Sequence, residues 1–95
     1  MLEPVKVLVV DDVVLVGRTV QRMLRGMSDT IDVVETGAEA LERHRRIHYD
    51  VILLDINLTD ATGPLLAVRL QSVWPTRIAL MSADPELGGW DGEVL

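Results

Sequence analysis

Four short apolar segments recur along the chain and predict the strands of one sheet. They cover residues 6–10, 31–34, 51–54 and 77–81 and are rich in Val, Ile and Leu. Val51-Ile52-Leu53-Leu54 has no polar break, which is typical of a strand buried on both faces of a parallel sheet. The segments between the strands are long enough for crossover helices. The pattern therefore predicts the order β-α-β-α-β-α-β, an α/β fold with a parallel sheet and helices on both faces.

Each of the three connecting segments carries a helical pattern. In the first, apolar residues recur at helical spacing, at Leu15, Val16, Val20, Met23, Leu24 and Met27. The second opens at Thr36, which fits a capping box with Glu39, and its Arg-rich end around His44 predicts a polar, mostly basic, exposed face. The third opens near Pro64, because proline is favoured in the first helical turn, and it ends before Pro75.

Composition places the chain among small soluble globular proteins. Its 95 residues suffice for a single domain, 1–95, in which 84–95 is expected to be an irregular tail or the stub of a fifth strand. Hydrophobic residues make up 48% and charged residues 25%. No apolar run approaches the ~20 residues of a membrane span, and the lack of an export signal and of cysteine predicts a cytoplasmic protein. The net charge of −6 argues against unaided binding to nucleic acid or anionic membranes.

Acidic side chains follow two of the predicted strands. Asp55 comes directly after the central apolar segment, and Asp11-Asp12 follow the first. Parallel strands deliver their last residues to one edge of the sheet, where open α/β folds bind ligands. Three acids gathered at that edge suit a hard divalent cation. The alternative is that they only cap the following helices, since Asp is favoured at helix N-termini.

Three motifs carry a resemblance to a known family. They are Val9-Val10-Asp11-Asp12, Leu53-Leu54-Asp55 and Leu80-Met81-Ser82-Ala83. In sequence and mutual spacing they resemble the receiver domains of bacterial two-component response regulators, and the match covers about residues 5–85. The segment Thr36-Gly37-Ala38-Glu39-Ala40-Leu41 is also similar to the start of the family's second helix. The resemblance implies a flavodoxin-like three-layer sandwich with strand order 2-1-3-4.

The resemblance also implies a function. Asp55 would accept a phosphoryl group from a sensor histidine kinase or a histidine phosphotransfer protein. The chain would then be a signalling domain in a phosphorelay rather than an enzyme, because it would catalyse only its own phosphotransfer. Ser82 would supply a hydroxyl to a phosphoryl oxygen, and the Ala83 backbone N–H would lie beside it.

Phosphotransfer in this family depends on Mg²⁺, which takes about six oxygen ligands. By the family pattern Asp12 and Asp55 would bind the ion directly. Asn57 would bind it through its backbone carbonyl, and Asp11 through water.

The chain departs from the family pattern in three respects. Thr59 stands where proline is usual, and the family's lysine on the fifth strand has no counterpart, because Lys6 is the only lysine. We therefore expect phospho-Asp55 to form slowly and to be held weakly, since a charge-assisted contact contributes about 1.5–3 kcal/mol. The last helix and strand are missing or vestigial, as in a C-terminally truncated receiver. An apolar sheet face left uncovered in this way would favour a homodimer.

Two other functions fit parts of the sequence. A receiver-like chain that has lost the switch would be a phosphorylation-independent interaction module. The stretch from Asp55 to Thr59 also resembles the nucleophile motif of haloacid-dehalogenase-type phosphohydrolases. Asn57 replaces the second acid of that motif, however, and the catalytic lysine and later acidic pair are lacking.

Overall fold

A computed structural model describes residues 5–26, 30–56, 58, 60 and 62–81, together with the backbone of 93–94. The strands are β1 (Lys6–Val10), β2 (Thr30–Val34), β3 (Val51–Asp55), β4 (Arg77–Met81) and β5 (Glu93–Val94). The helices are α1 (Val14–Leu24), α2 (Gly37–Ile47) and α3 (Gly63–Val73). Strands and helices alternate through β4, as the hydrophobic pattern predicts.

All strand pairs are parallel, and the strand order is β2-β1-β3-β4-β5. The apolar segment of β3 is central, with Leu53 in register with Val9 on one side and with Ala79 on the other. The predicted order 2-1-3-4 is therefore confirmed, with a two-residue fifth strand beyond it. The rest of the expected tail, 84–95, lies outside the described residues. We call the edge at which β1, β2, β3 and β4 end the carboxyl edge.

Side chains of the strands point alternately to the two faces of the sheet and form two apolar layers. One layer packs against α2 and α3 and the other against α1, which confirms helices on both faces. Towards α2 and α3 the buried residues include Leu8, Val10, Ile52, Leu54, Leu66 and Leu70. On the α1 side they are Val7, Val9, Leu53 and Ala79, with Val20 and Leu24 of α1 packed against them. Burying one such side chain contributes about 1.5–3 kcal/mol, so the sheet is held between both layers.

Helix α1 approaches the sheet closely at Gly17. A Cβ at this position would lie 2.5 Å from Cγ1 of Val33 in β2. A contact that short requires the strand side chain or the helix to move. Glycine at this position therefore sets the distance between α1 and the sheet.

The exposed apolar side chains lie mainly on the helices rather than on the sheet. Leu15 is 75% and Met23 73% exposed, whereas Leu53 and Ala79, which face the α1 side of the sheet, are buried. The sequence predicts an uncovered sheet face as the homodimer surface. Among the described residues, the exposed apolar side chains lie instead on the outer sides of α1 and of α3, where Val68 is 62% exposed.

His44 is fully buried, and the expectation that it forms part of an exposed basic face is wrong. Its Nδ1 accepts the backbone N–H of Tyr49 at 3.1 Å, so Nε2 carries the proton and donates to the carbonyl oxygen of Trp74 at 2.9 Å. A buried imidazole is tolerated when both nitrogens are bonded. The helix then ends at His48, whose φ of 58° is left-handed and whose ring stacks on Trp74.

Each of the three helices has 11 residues. Within the described part of the chain, none has both the length and the apolar character needed to cross a bilayer.

Candidate functional site

The parallel register brings three acids together at the carboxyl edge. β1 ends at Val10, which pairs with Leu54, so Asp11 and Asp12 leave β1 beside the last residue of β3, Asp55. Carboxylate oxygens of the three aspartates lie within 4.8 Å of one another. This is the cluster that the strand-end acids predict.

The backbone around Asp11 holds its carboxylate in place. Asp11 is only 5% exposed, its N–H donates to the Val34 carbonyl at 3.1 Å, and its Oδ1 accepts the N–H of Val13 at 2.8 Å. The Asp11 side chain thus closes a turn just before α1. The N-cap residues of α1 and α3 are Val13 and Thr62, so none of the three aspartates is a helix N-cap, and the capping alternative is wrong.

The electrostatics of the cluster suit a cation. Two carboxylates about 4 Å apart repel by about 4 kcal/mol at an effective dielectric near 20. Asp12 and Asp55 are half-buried, which weakens the screening of that repulsion by water. Carboxylate oxygens are the ligands of Mg²⁺, which accepts one or two carboxylates alongside other oxygens. The donor set therefore fits the ion that the sequence predicts.

The β3–α3 loop (56–62) begins directly after Asp55, and a backbone hydrogen bond joins its two ends. The N–H of Gly63 donates to the Ile56 carbonyl at 2.8 Å. A Cβ at position 63 would lie 2.7 Å from the Ile56 Cα, so only glycine permits this approach. Ile56 in turn donates its N–H to the Met81 carbonyl of β4 at 3.4 Å.

Asp60 joins this loop to the N-terminus of α2. Its Oδ1 accepts the Gly37 N–H at 2.9 Å and its Oδ2 accepts the Ala38 N–H at 3.1 Å. The bond from Gly37, followed by that from Ala38, holds the pKa of this carboxyl below its usual value, although partial desolvation opposes it. No local sequence pattern singles out Asp60 for this contact.

Helix α2 also has the predicted capping box in a modified form. Oγ1 of Thr36 accepts the Glu39 N–H at 3.1 Å, which confirms Thr36 as N-cap. The Glu39 side chain reaches back, but its Oε1 contacts the Thr36 hydroxyl at 3.2 Å rather than the backbone N–H of the usual box. Two side chains, Thr36 and Asp60, thus satisfy amides of the same helical turn.

Three of the predicted site residues, Asn57, Ser82 and Ala83, lie outside the described residues. The nearest described neighbour of the last two, Met81, ends β4 and is in register with Asp55. The structure therefore assembles the acidic part of the predicted site, Asp11, Asp12 and Asp55.

Comparison with known proteins identifies relatives among two-component signalling proteins. A family model described as response regulator receiver domain matches residues 7–88. The aerobic respiration control sensor protein ArcB of Escherichia coli is 35% identical over 74 residues, which are 78% of this chain and 10% of that protein. The cell cycle response regulator CtrA of Brucella ovis is 32% identical over 79 residues, covering 81% of this chain and 34% of that protein. The chain thus spans about a third or less of these curated relatives.

Solved structures share the fold. The chemotaxis response regulator CheY4 of Vibrio cholerae superposes with a TM-score of 0.78 at 30% identity, covering 88% of this chain and 72% of that one. A CheY-like receiver domain from Methylobacillus flagellatus gives a TM-score of 0.81 at 24% identity, over 86% of this chain and 72% of that one. At the lower identity the likeness concerns the fold alone.

Proposed function

Because the chain belongs to the response regulator receiver domain family of two-component systems, we propose that it accepts a phosphoryl group on Asp55 from a phosphohistidine. The observation that carries the proposal is the cluster of Asp11, Asp12 and Asp55 at the carboxyl edge. A buried strand delivers Asp55 to that edge, where ligands bind in open α/β folds. Surface acids that serve only solubility have no reason to converge there.

The proposed reaction is an in-line transfer. A carboxylate oxygen of Asp55 attacks phosphorus and forms an O–P bond, while the P–N bond to the donor histidine breaks and its electron pair returns to the ring nitrogen. Apart from Asp55, no residue of the chain forms a covalent bond in this step. Catalysis therefore consists mostly of positioning the reacting groups and compensating the charge of the phosphoryl oxygens. The register of β3 between β1 and β4 supplies the positioning, because Asp55 closes the central strand.

The residues that would hold Mg²⁺ are Asp12 and Asp55 directly, Asp11 through water, and Asn57 through its backbone carbonyl. When bound, a divalent cation supplies positive charge that offsets both the carboxylates and the incoming phosphoryl oxygens. The bonds of Asp11 to Val13 and Val34 hold its side chain at the buried side of the cluster. Ser82 and the Ala83 N–H are proposed to donate to the transferred phosphoryl group.

The proposed phosphodonor is a sensor histidine kinase or a histidine phosphotransfer protein. The net charge of −6 disfavours direct binding to nucleic acid or to anionic membranes, so neither is proposed as a partner. A homodimer is proposed through the apolar surface on α1, where Leu15, Val16 and Met23 are exposed.

The test is covalent labelling of Asp55. The protein is incubated with acetyl phosphate and Mg²⁺, and the acyl phosphate is located by intact mass and by its lability to hydroxylamine. We expect one phosphoryl group in the wild type, none in Asp55→Asn, and none when Mg²⁺ is chelated.

Asp50→Asn is the matched control, because Asp50 stands at the opposite end of the same strand, where its carboxylate accepts the Lys6 N–H at 2.8 Å. An asparagine oxygen can still accept that bond, so labelling should persist. If the folded wild type takes no label from acetyl phosphate and no beryllofluoride adduct forms, the phosphorylation-independent interaction module replaces the proposed function.

A further inference from the structure

Hydrogen bonds hold the β3–α3 loop at two separate places among its described residues. Its base is closed by the Gly63–Ile56 bond, and its far side is tied to α2 by Asp60. The loop begins directly after Asp55 and contains Asn57, the proposed carbonyl ligand. Between these ends, two described residues contact the rest of the chain. Leu58 packs against the core, and Asp60 is the described loop residue whose side chain is hydrogen-bonded to α2.

The carboxylate of Asp60 binds the N-terminus of α2 with both of its oxygens. Each carboxylate oxygen takes one N–H, from the first and second residues of the helix, Gly37 and Ala38. The helix N-terminus carries partial positive charge, which favours an ionised side chain there. A Cβ at position 37 would lie 3.2 Å from Oδ1 of Asp60 and 3.1 Å from Cδ2 of Leu66. Glycine at position 37 therefore leaves room for the carboxylate between the helix end and α3.

We propose that Asp60 is a positioning residue for the phosphoacceptor site, holding the β3–α3 loop against α2 so that the backbone next to Asp55 is in place for the cation. The inference rests on the proposed function, because it concerns the same site. Asp60 acts through the loop, because both of its carboxylate oxygens bind amides of α2.

The competing explanation is that Asp60 only stabilises α2. A side chain that satisfies N-terminal amides strengthens a helix wherever it comes from. Such a role predicts lower stability on substitution but an unaltered site. The chain offers a control for this, since Thr36 also caps α2, through the Glu39 N–H, and lies on the helix side of the contact.

The experiment compares Asp60→Ala, Asp60→Asn and Thr36→Ala with the wild type. Magnesium affinity is measured by calorimetric titration with MgCl₂, and labelling by acetyl phosphate is followed by intact mass. We expect Asp60→Ala to weaken Mg²⁺ binding and slow labelling by about tenfold, the lower end of the range for residues that orient metal ligands. Asp60→Asn, whose amide oxygen can accept one of the two N–H groups, should recover part of the loss. Thr36→Ala should lower Tm with no change in Mg²⁺ affinity.

A second measurement follows the backbone amides of the loop by NMR and hydrogen exchange in the absence of metal. In the metal-free protein, the amides of Ile56 and Leu58 should shift and exchange faster in Asp60→Ala than in Thr36→Ala. The inference is overturned if Asp60→Ala and Thr36→Ala alter Mg²⁺ affinity equally, or if neither alters it. If the wild type neither binds Mg²⁺ nor takes a label, the proposed function itself has failed, and the site role of Asp60 falls with it.

Discussion

The imidazole of His44 donates a hydrogen bond from Nε2 to the carbonyl oxygen of Trp74, 2.9 Å away and thirty residues later in the chain. Its other nitrogen accepts the N–H of Tyr49, the residue that leads into β3. One side chain thus joins the end of α2 to the end of α3 and to the start of the central strand. This junction lies at the opposite end of β3 from Asp55.

Replacing His44 should destabilise the fold strongly. His44→Ala leaves the Tyr49 N–H and the Trp74 carbonyl without their partner and opens a cavity, so we expect a loss of about 3 kcal/mol in the free energy of unfolding. Urea unfolding followed by circular dichroism measures it. Arg45→Ala, one residue away on the exposed side, should change stability by less than about 0.5 kcal/mol. Equal losses in both variants would contradict the bridging role.

Tyr49 should remain un-ionised at a pH where an exposed tyrosine titrates. Burial, followed by the hydrogen bond and negative charge of Asp32, raises the pKa of its phenol well above the usual value. Tyr49 is the only tyrosine, so tyrosinate absorbance at high pH reports this group alone. We expect no phenolate signal at about pH 10, the usual pKa, until the protein unfolds.

The same shift makes stability depend on pH. Because the folded state holds the Tyr49 proton more tightly than the unfolded state, its contribution is fully present below the unfolded pKa of about 10 and is lost as pH rises above it. Urea unfolding at increasing pH should show the wild type losing stability over this range. Tyr49→Phe, which has no phenol to ionise, should start from a lower stability and fall less steeply. Parallel pH profiles for both proteins would refute the assignment.

Gly17→Ala should destabilise the chain despite the better helix propensity of alanine. The added methyl group would meet Cγ1 of Val33 at 2.5 Å, and overpacking of this kind costs about 1–3 kcal/mol against a propensity gain of about 1 kcal/mol. Thermal unfolding checks the sign. In Val33→Ala, where the obstructing branch is gone, the same Gly17→Ala change should be neutral or stabilising. A loss as large as in the wild-type background would exclude the clash as its cause.

Self-association, if it occurs through α1, should respond to salt. The exposed Leu15 and Met23 lie on a helix that carries Arg18 and Arg22 and no acidic residue. Like charges brought together at a two-fold contact repel, and salt screens them. Light scattering should therefore show more dimer at high ionic strength, and Leu15→Gln with Met23→Gln should abolish it.

The control for that measurement is Val68→Gln, which removes an apolar side chain of similar exposure, 62%, from α3. It should leave the dimer intact. A monomer at every concentration and salt level, without binding of an apolar dye, would count against the homodimer.

The residues that could be placed from the sequence are those fixed by local pattern. An apolar run that stops at an acid places Asp55 at the end of a buried strand, and parallel pairing then brings Asp11 and Asp12 beside it. Thr36 and Glu39 are three residues apart, so their contact is also local. In each case periodicity and strand direction suffice.

The residues that were missed depend on partners distant in sequence. His44 has arginines on both sides in the sequence, which suggests that its side chain is exposed to solvent. It nevertheless lies four residues after Ala40, on the buried side of α2. That spacing is the sequence signal of burial, but it does not identify Trp74 as the partner. Asp60 likewise has its partners more than twenty residues earlier, in Gly37 and Ala38. Helical spacing in α1 predicted the helix but not which of its apolar residues would face solvent.

The two ties of α2 have a joint mechanical consequence. Asp60, just before α3, grips the first turn of α2, and His44 fastens its last turn to Trp74, just after α3. The two helices are therefore joined near both of their ends, whereas α1 is bonded to the sheet through Gln21, whose Nε2 donates to the Ile31 carbonyl of β2 at 2.7 Å. We therefore expect α2 and α3 to move together when the loop that carries Asp60 is displaced, while α1 stays with β2.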